Sequence, residues 1–575
     1  LLFAVTVTVF LPSLRNGFVD WDDHVTIVSN EGIRGLGWEQ IRWMFSSFLL
    51  GPYQPLSWIS LALDYMVWGL DPVGFHLTSL LLHAANVVLV FGLATRLFAL
   101  GMPSVAAASP SGVIFGASVA SLLFGVHPLR VESVVWATER RDTLSALFVL
   151  LAVIAYCTRD RADAGLDHKA PFPWAAFALF LLALLSKASV VGLPIVLLLL
   201  DVFPLRRLPS DPRAWASREA RPVFLEKAPF FLASLVFSGV AVYGQWAARA
   251  VRTLSESGVV ERAGYAAYAA GLYLWKSVVP VRLSPLYEAP ADVGSVAAGI
   301  ALGGTLVLAG SLAAWRGRRR APAFAVAWVA FLALLAPVSG IVHVGNQIAA
   351  DRYTYLPCLP LGIVVGTLAA RLSSRPGAAV LAWSAAVLAT ACLGLLTSRQ
   401  IGVWRDSLTL WEHASRLAPE SAIAHYGRGQ ALAARGRPGE AAAAYREALR
   451  IDPGYADARN NLATLLADAG QLDEALQHFL ALEAADPKDA MLQYNLGLVA
   501  TRLGRRDQAK ARYRTALERQ PALASARINL AYLLDEEGNL EGARALLSEG
   551  LASAPADTAL RHALDHLASH ERGPD

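Results

Sequence analysis

The sequence predicts an all-α protein in two parts, a polytopic bundle of membrane helices followed by a solenoid of short helix pairs. Three observations carry this. The 575 residues are 55% hydrophobic and only 17% charged, with mean hydropathy +0.42, whereas soluble chains are closer to a quarter charged. Apolar runs of roughly 16 to 22 residues recur up to Thr397, the length of helix that a hydrocarbon layer of about 30 Å requires. Beyond Trp404 prolines and glycines recur at a fixed interval.

The apolar runs lie at about 1 to 14, 75 to 95, 111 to 126, 142 to 157, 173 to 187, 189 to 203, 228 to 247, 293 to 315, 321 to 337, 355 to 371 and 378 to 397, about eleven spans in all. The first, ending at Arg15 and Asn16 and lacking a small-x-small cleavage site, reads as the remainder of a first membrane helix rather than a leader. Arg206, Arg207, Arg213, Arg218, Arg221 and Lys227 mark one loop, and Arg316, Arg318, Arg319 and Arg320 another. The positive-inside rule places both in the cytoplasm. Counting outward puts 15 to 55, 127 to 142, the turn near 187, 248 to 292 and 338 to 354 on the opposite face. The count requires that 263 to 281 does not cross, and its Tyr265, Tyr268, Tyr273 and Trp275 suit an interfacial or re-entrant helix.

Pro419, Pro453, Pro487, Pro521 and Pro555 are spaced by 34 residues, as are Gly436, Gly470, Gly504 and Gly538. Thirty-four is the tetratricopeptide period. Ala441, Ala475, Ala509 and Ala543 supply the small contact residue of each second helix, and Tyr445, Phe479 and Tyr513 an aromatic four residues on. Each glycine ends a first helix by turning left-handed, and each proline stops a second. The predicted domains are therefore 1–402 and 403–575, with four full repeats at about 422–555, a half repeat before them containing Trp411 and Ala414, and a capping helix after Pro555. Asn461, Asn495 and Asn529 share one repeat position and are expected on the concave face. Their amides can bind the main chain of an extended peptide, or merely bridge adjacent repeats.

The small net charge of +4 gives no basis for a nucleic-acid partner. Cys157, Cys358 and Cys392 are too scattered for a thiol metal or redox centre and read as packing residues. His76, Ser79, His83 and Asn86 share one helical face and read as interhelical hydrogen-bonding residues. The chemistry-bearing residues gather on the predicted external face. DWDD supplies Asp20, Asp22 and Asp23. HPLRVESVVWATERRD supplies His127, Arg130, Glu132, Arg140, Arg141 and Asp142. Lys187, Lys276, Asp351, Arg352 and Tyr353 follow. A sugar on a polyprenyl phosphate needs just such parts: cations for its phosphate and a carboxylate to deprotonate an acceptor hydroxyl. Arg140, Arg141, Lys187 and Arg352 are the expected phosphate ligands, since a guanidinium fork matches phosphate oxygens and keeps its charge.

NGFVDWDDHVTIVSN, YQPLSWISLALDYMVWGLDPVGFHLTSLLLHAANVVLV, HPLRVESVVWATERRDTLSALF and ADRYTYLP, followed by the repeats, resemble the bacterial relatives of the transmembrane and tetratricopeptide-repeat O-mannosyltransferases, of the GT-C glycosyltransferases, over nearly the whole chain. The resemblance implies a GT-C-type bundle and an inverting transferase in the inner or plasma membrane. Its donor would be a polyprenyl-phosphate monosaccharide, its acceptor a protein or peptide presented by the repeats, and its catalytic loops and repeats would be extracytoplasmic (periplasmic). The first-loop acid is the base in that family, a role that falls here on Asp22 or Asp23, with Asp20 an extra acid. Some such enzymes use a divalent cation and others do not; the sequence fits both. Two further readings share these features: transfer to a lipid or surface glycan with the repeats recruiting partners, and a non-enzymatic membrane-anchored scaffold.

Overall fold

The structure is a computed structural model describing residues 1–158, 172–253, 257–289, 293–341 and 345–570. It is all-α apart from one short antiparallel pairing of Tyr287–Glu288 with Gln347–Ala349 among the described residues. Two compact units result, Leu1–Leu417 and Ala418–Asp575.

The helices of the first unit that bear on the site are α1 (Leu2–Phe10), α2 (Pro72–Gly101), α3 (Pro110–Gly125), α4 (Arg140–Thr158), α5 (Trp174–Ser186), α6 (Leu193–Val202), α7 (Arg221–Ala247), α8 (Val259–Lys276), α9 (Ala297–Gly317), α10 (Pro322–Leu335), α11 (Leu359–Ser373), α12 (Pro376–Val403) and α13 (Ser407–Leu417). Each of the eleven apolar runs is helical, but their lengths differ. Five stretches, in α2, α4, α7, α9 and α12, are long and apolar enough to cross a membrane by themselves, and α3 passes the same test only when joined across a 54° bend to Pro128–Val135. The remaining five are apolar helices of 10–17 residues, shorter than the roughly 20 residues of a full straight span. The shortening has local causes. Lys187 is extended (φ −157°, ψ 122°) and divides α5 from the turn that opens α6, while Pro337 lies in the tight turn that ends α10.

The polar stripe on α2 ties the bundle together. His83 shares a hydrogen bond with the Tyr355 hydroxyl (2.8 Å) and another with the Gly125 carbonyl (2.9 Å), and Asn86 Nδ2 donates to the Thr143 carbonyl (2.8 Å). These bonds of His83 and Asn86 fix α3, α4 and the DRYTYLP segment around α2, whereas both ring nitrogens of the buried His76 have no hydrogen-bond partner among the described residues.

At the far end of α4, Tyr156 donates to Asp201 (2.8 Å), while Lys227 pairs with Asp201 (2.8 Å) and Arg207 with Glu226 (2.7 Å). Asp142, in the first turn of α4, lies fourteen residues earlier. At 1.5 Å per residue the two charge clusters are about 21 Å apart along the helix.

The second unit comprises four helix pairs between Ala422 and Ser553 and a final helix, Thr558–His570. The glycines that end the first helices have φ of +68° to +80°, a region that costs other residues a Cβ clash. Ala441, Ala475, Ala509 and Ala543 are fully buried. A side chain added at Gly429 or Gly497 would meet the Tyr445 or Tyr513 ring at 2.5 Å, which is why those pairs close tightly. α13, read in the sequence as the opening half repeat, clusters with the first unit.

Candidate functional site

Four segments converge in the first unit: the acid loop, the turn from Glu132 to Asp142, the break at Lys187 and the segment from Gln347 to Tyr355. The two adjacent acids of the loop have opposite surroundings. Asp23 is buried, accepting from the Val19 N–H at Oδ2 (3.0 Å) and from the Thr138 N–H (2.9 Å) and hydroxyl (2.5 Å) at Oδ1. Burial pushes its carboxyl up to about 6 against the pull of these donors. Asp22 is half-buried and its carboxylate has no hydrogen bond or ion pair among the described residues. Burial raises it too, opposed by the Arg141 and Arg352 guanidinium groups and aided by Glu139. Asp20 is exposed.

Glu139 is the centre of the cationic side. Its fully buried carboxylate accepts from Arg141 Nε (3.0 Å) and Lys187 Nζ (3.0 Å) and forms an ion pair with Arg352, whose Nε lies 3.4 Å away. Lys187 also reaches Asp142 Oδ1 (2.6 Å). Arg352 donates to Glu132 from its guanidinium and from its main-chain N–H (2.8 Å), and lies 4.9 Å from the Tyr353 ring centre. Three cations are thus oriented by three carboxylates.

Arg140, expected with them, is turned away. It is fully buried, paired with Asp64 (2.6 Å), and donates to Ser79 (2.9 Å), Ser60 (3.0 Å) and the Phe75 carbonyl (2.6 Å). Its neighbour Arg141 faces the site because successive residues on a helix point about 100° apart. Arg140 therefore braces α2 and α4 and is withdrawn as a phosphate ligand.

The other candidates divide similarly. Glu132, Asp142 and Tyr353 border the cluster. His127 accepts from the Leu129 N–H (3.2 Å) and bonds the Ser277 carbonyl (3.2 Å), fixing a turn. Lys276 donates to the carbonyls of Val281 (2.6 Å) and Arg282 (3.2 Å), closing the chain after α8. Arg130 is buried beside the Phe124 and Tyr355 rings, 5.5 and 5.7 Å from their centres. Asp351 is buried, accepts from the Tyr287 hydroxyl (2.8 Å), and is pushed up to about 8, chiefly by burial and then by Glu132. In the repeats, Asn461 and Asn529 donate to Tyr426 (3.4 Å) and Tyr494 (3.5 Å) of the preceding repeat. Asn495 has Asn460 where a tyrosine would stand and makes no such bond among the described residues.

Glu139, Thr138 and Asp64 were not singled out in the sequence. A signal existed for two of them: Glu139 immediately precedes the Arg pair, and Asp64 is an acid inside the apolar helix Pro55–Trp68, where ionisable residues need a partner. No group of three or more His, Cys, Asp or Glu side chains placed to hold a metal ion occurs among the described residues.

A small cleft is lined by Asp142, Lys187, Ser189, Arg352, Tyr353 and Tyr355, with Val190, Leu334, Val338 and Leu356 also in its wall. Leu334 and Leu356 line both this cleft and a groove between α2, α4, α6, α10 and α11. The groove is walled almost wholly by aliphatic and aromatic side chains, with Arg371 its one charged residue.

A family model described as tetratricopeptide repeat matches residues 412–496 and 500–567. The chain is 26% identical over 491 residues to protein O-mannosyl-transferase TMTC4 of Mus musculus, covering 77% of this chain and 65% of that protein. It is 31% identical over 205 residues to TMTC4 of Homo sapiens (34% of this chain, 27% of that one), and 28% over 206 residues to human TMTC3 (34% and 20%). It thus spans less than two thirds of each. Among solved structures, it is similar to YrrB, "a TPR protein with an unusual peptide-binding site", at 24% identity and TM-score 0.25 over 27% of this chain and 80% of that one. It is also similar to a thermophilic TPR protein of Thermus thermophilus, at 26% identity and TM-score 0.25 over 32% of this chain and 95% of that one. With bundle, acid loop and repeats in place, the chain is a relative of the transmembrane and tetratricopeptide-repeat O-mannosyl-transferases.

Proposed function

We propose that this chain is a membrane glycosyltransferase that moves a monosaccharide from a polyprenyl-phosphate donor to a hydroxyl of a protein or peptide, with inversion, on the extracytoplasmic face. The observation that carries the reading is that Leu334 and Leu356 wall both a cleft holding Lys187 and Arg352 and an apolar groove. A lipid-linked phosphate has that same division, with a charged head and a hydrocarbon tail. The two basic loops, joined by Arg319 and Asp211 (3.0 Å), then lie on the cytoplasmic side.

In the reaction the acceptor oxygen bonds to the anomeric carbon as the bond from that carbon to the phosphate oxygen breaks. Asp22 takes the hydroxyl proton; of the adjacent pair its carboxylate is the one not already spent on the fold, and unlike the exposed Asp20 it is half-buried. The departing phosphate keeps the bonding pair, and Lys187 and Arg352 stabilise its charge. Glu139 and Glu132 hold the cations in place, so little reorganisation accompanies the charge shift. The acceptor segment is assigned to the repeats, where the Asn495 amide is unspent.

Narrowing the groove tests the donor assignment. Ala330→Phe, in the groove wall, is expected to raise the KM of a long-chain polyprenyl-phosphate sugar roughly tenfold, the worth of about two buried CH₂ groups. A donor with two isoprene units should be little affected. Equal effects on both donors, or none on either, would overturn the groove as the lipid site.

A further inference from the structure

The chain entering the repeats is built onto the acid loop. The Gly17 N–H donates to the Arg405 carbonyl (2.9 Å), and Asn16 Nδ2 to the carbonyls of Ile401 (3.2 Å) and Trp404 (3.0 Å). The Asp20 N–H donates to Ser407 Oγ (2.8 Å), and Trp411 Nε1 to the Asp20 carbonyl (3.4 Å). These bonds cover the residues leading up to Asp22.

Trp21, between Asp20 and Asp22, is stacked on Trp411 with ring centres 5.0 Å apart and planes 22° apart. On its other side it meets Trp136 at 5.6 Å, and Trp136 stacks on Trp404 at 5.6 Å and 28°. The Arg352 guanidinium lies 5.4 Å from the Trp136 ring centre. Four indoles therefore form one column that touches the acid loop at Trp21 and the phosphate side at Arg352. Trp136, Trp404 and Trp411 are all buried. After Asp22 in the chain, the loop is pinned by Asp23 to Thr138. Asp22 thus sits between two anchors, one made by its neighbour's carboxylate and one by α13.

We infer that Trp411 is a positioning residue for sugar transfer: through Trp21 it sets where the Asp22 carboxylate stands relative to Arg352. The inference rests on Asp22 as the base. Trp411 and Ser407 touch the loop at Trp21 and Asp20, so their influence runs through the loop. In-line displacement is sensitive to such placement, a shift of about 1 Å costing on the order of 100-fold. A contact that served only to hold α13 in place would leave the kinetics of the folded fraction unchanged.

The test uses the full chain with Trp411→Ala, Trp411→Leu and Trp411→Phe, assayed with a polyprenyl-phosphate sugar and one acceptor peptide. Hydrogen exchange of residues 16–26 is read alongside. Trp411→Ala is expected to lower kcat roughly 10- to 100-fold with donor KM within about twofold, and to speed exchange in 16–26; Trp411→Phe should restore most of the rate. If Trp411→Ala does not fold, Trp411→Leu keeps more apolar volume than Ala, removes the stack and carries the same expectation. Faster exchange with unchanged kcat, or a loss confined to donor KM, would overturn the inference. Equal rates for the unaltered chain and Asp22→Asn, read in the same assay, would instead remove the base assignment and this inference with it.

Discussion

Asp22→Asn should stop sugar transfer while leaving the protein folded in the membrane. The substitution keeps the side chain's shape, and the carboxylate has no hydrogen bond or ion pair to lose among the described residues. What disappears is a proton acceptor, and a positioned general base is worth on the order of 10²- to 10⁴-fold. Asp23→Asn should fail differently. Both Asp23 oxygens accept, from Val19 on one side and Thr138 on the other, so an amide NH₂ must face a donor. Leaving such a buried group unsatisfied costs about 1–3 kcal/mol. Asp23→Asn should therefore lower the melting temperature as well as activity, whereas Asp22→Asn should lower activity alone.

The pH dependence separates the pair further. Asp22 works as a base only when ionised, and burial raises its carboxyl despite Arg141 and Arg352. Transfer should therefore rise with pH along a limb above the ordinary carboxylate value of about 4. Burial raises Asp23 to about 6 against its hydrogen bonds, so the folded loop holds this proton more tightly than the unfolded chain does. That contribution is complete below the unfolded value of about 4 and is lost as pH rises through about 6. The base thus gains activity with rising pH over a range in which its neighbour gives up stability. Asp22→Asn should erase the kinetic limb and leave the stability trend intact.

Glu139→Ala should be among the most damaging single changes to stability. The carboxylate is fully buried and is the shared partner of Arg141, Lys187 and Arg352. Removing one member of a buried ion pair strands the other, at about 3–5 kcal/mol. Against a total stability of about 5–15 kcal/mol for a typical domain, thermal unfolding in detergent should shift down markedly. Adding Arg141→Met removes one stranded charge, so the double variant should lose less than the sum of the two single ones. Strict additivity would show that Glu139 does not organise the cations.

The sequence and the structure agree most closely where a period is repeated. The 34-residue spacing from Pro419 to Pro555 foretells the helix pairs, and the left-handed glycines occupy the expected turns. Apolar runs likewise foretell eleven helices. They do not foretell which are cut short, since the breaks at Lys187 and near Pro337 depend on how the chain turns locally. Site residues are harder to read, because side-chain direction decides their use. Arg140 and Arg141 look alike in sequence, yet one faces Asp64 and the other Glu139. DWDD shows an acid pair, but only the fold separates the acid bonded to Thr138 from the one that is not. The Trp411 to Trp21 stack joins residues 390 positions apart, and no local pattern announces it.

The most direct measurement of the central claim is turnover by the purified full chain in liposomes, offered labelled polyprenyl-phosphate hexoses and, separately, the matching nucleotide sugars, with an acceptor peptide. The account predicts that only the lipid-linked donor is consumed, that polyprenyl phosphate is released in step with peptide glycosylation, and that Asp22→Asn abolishes both. Transfer from a nucleotide sugar, or no turnover of any lipid-linked hexose by folded protein, would contradict it.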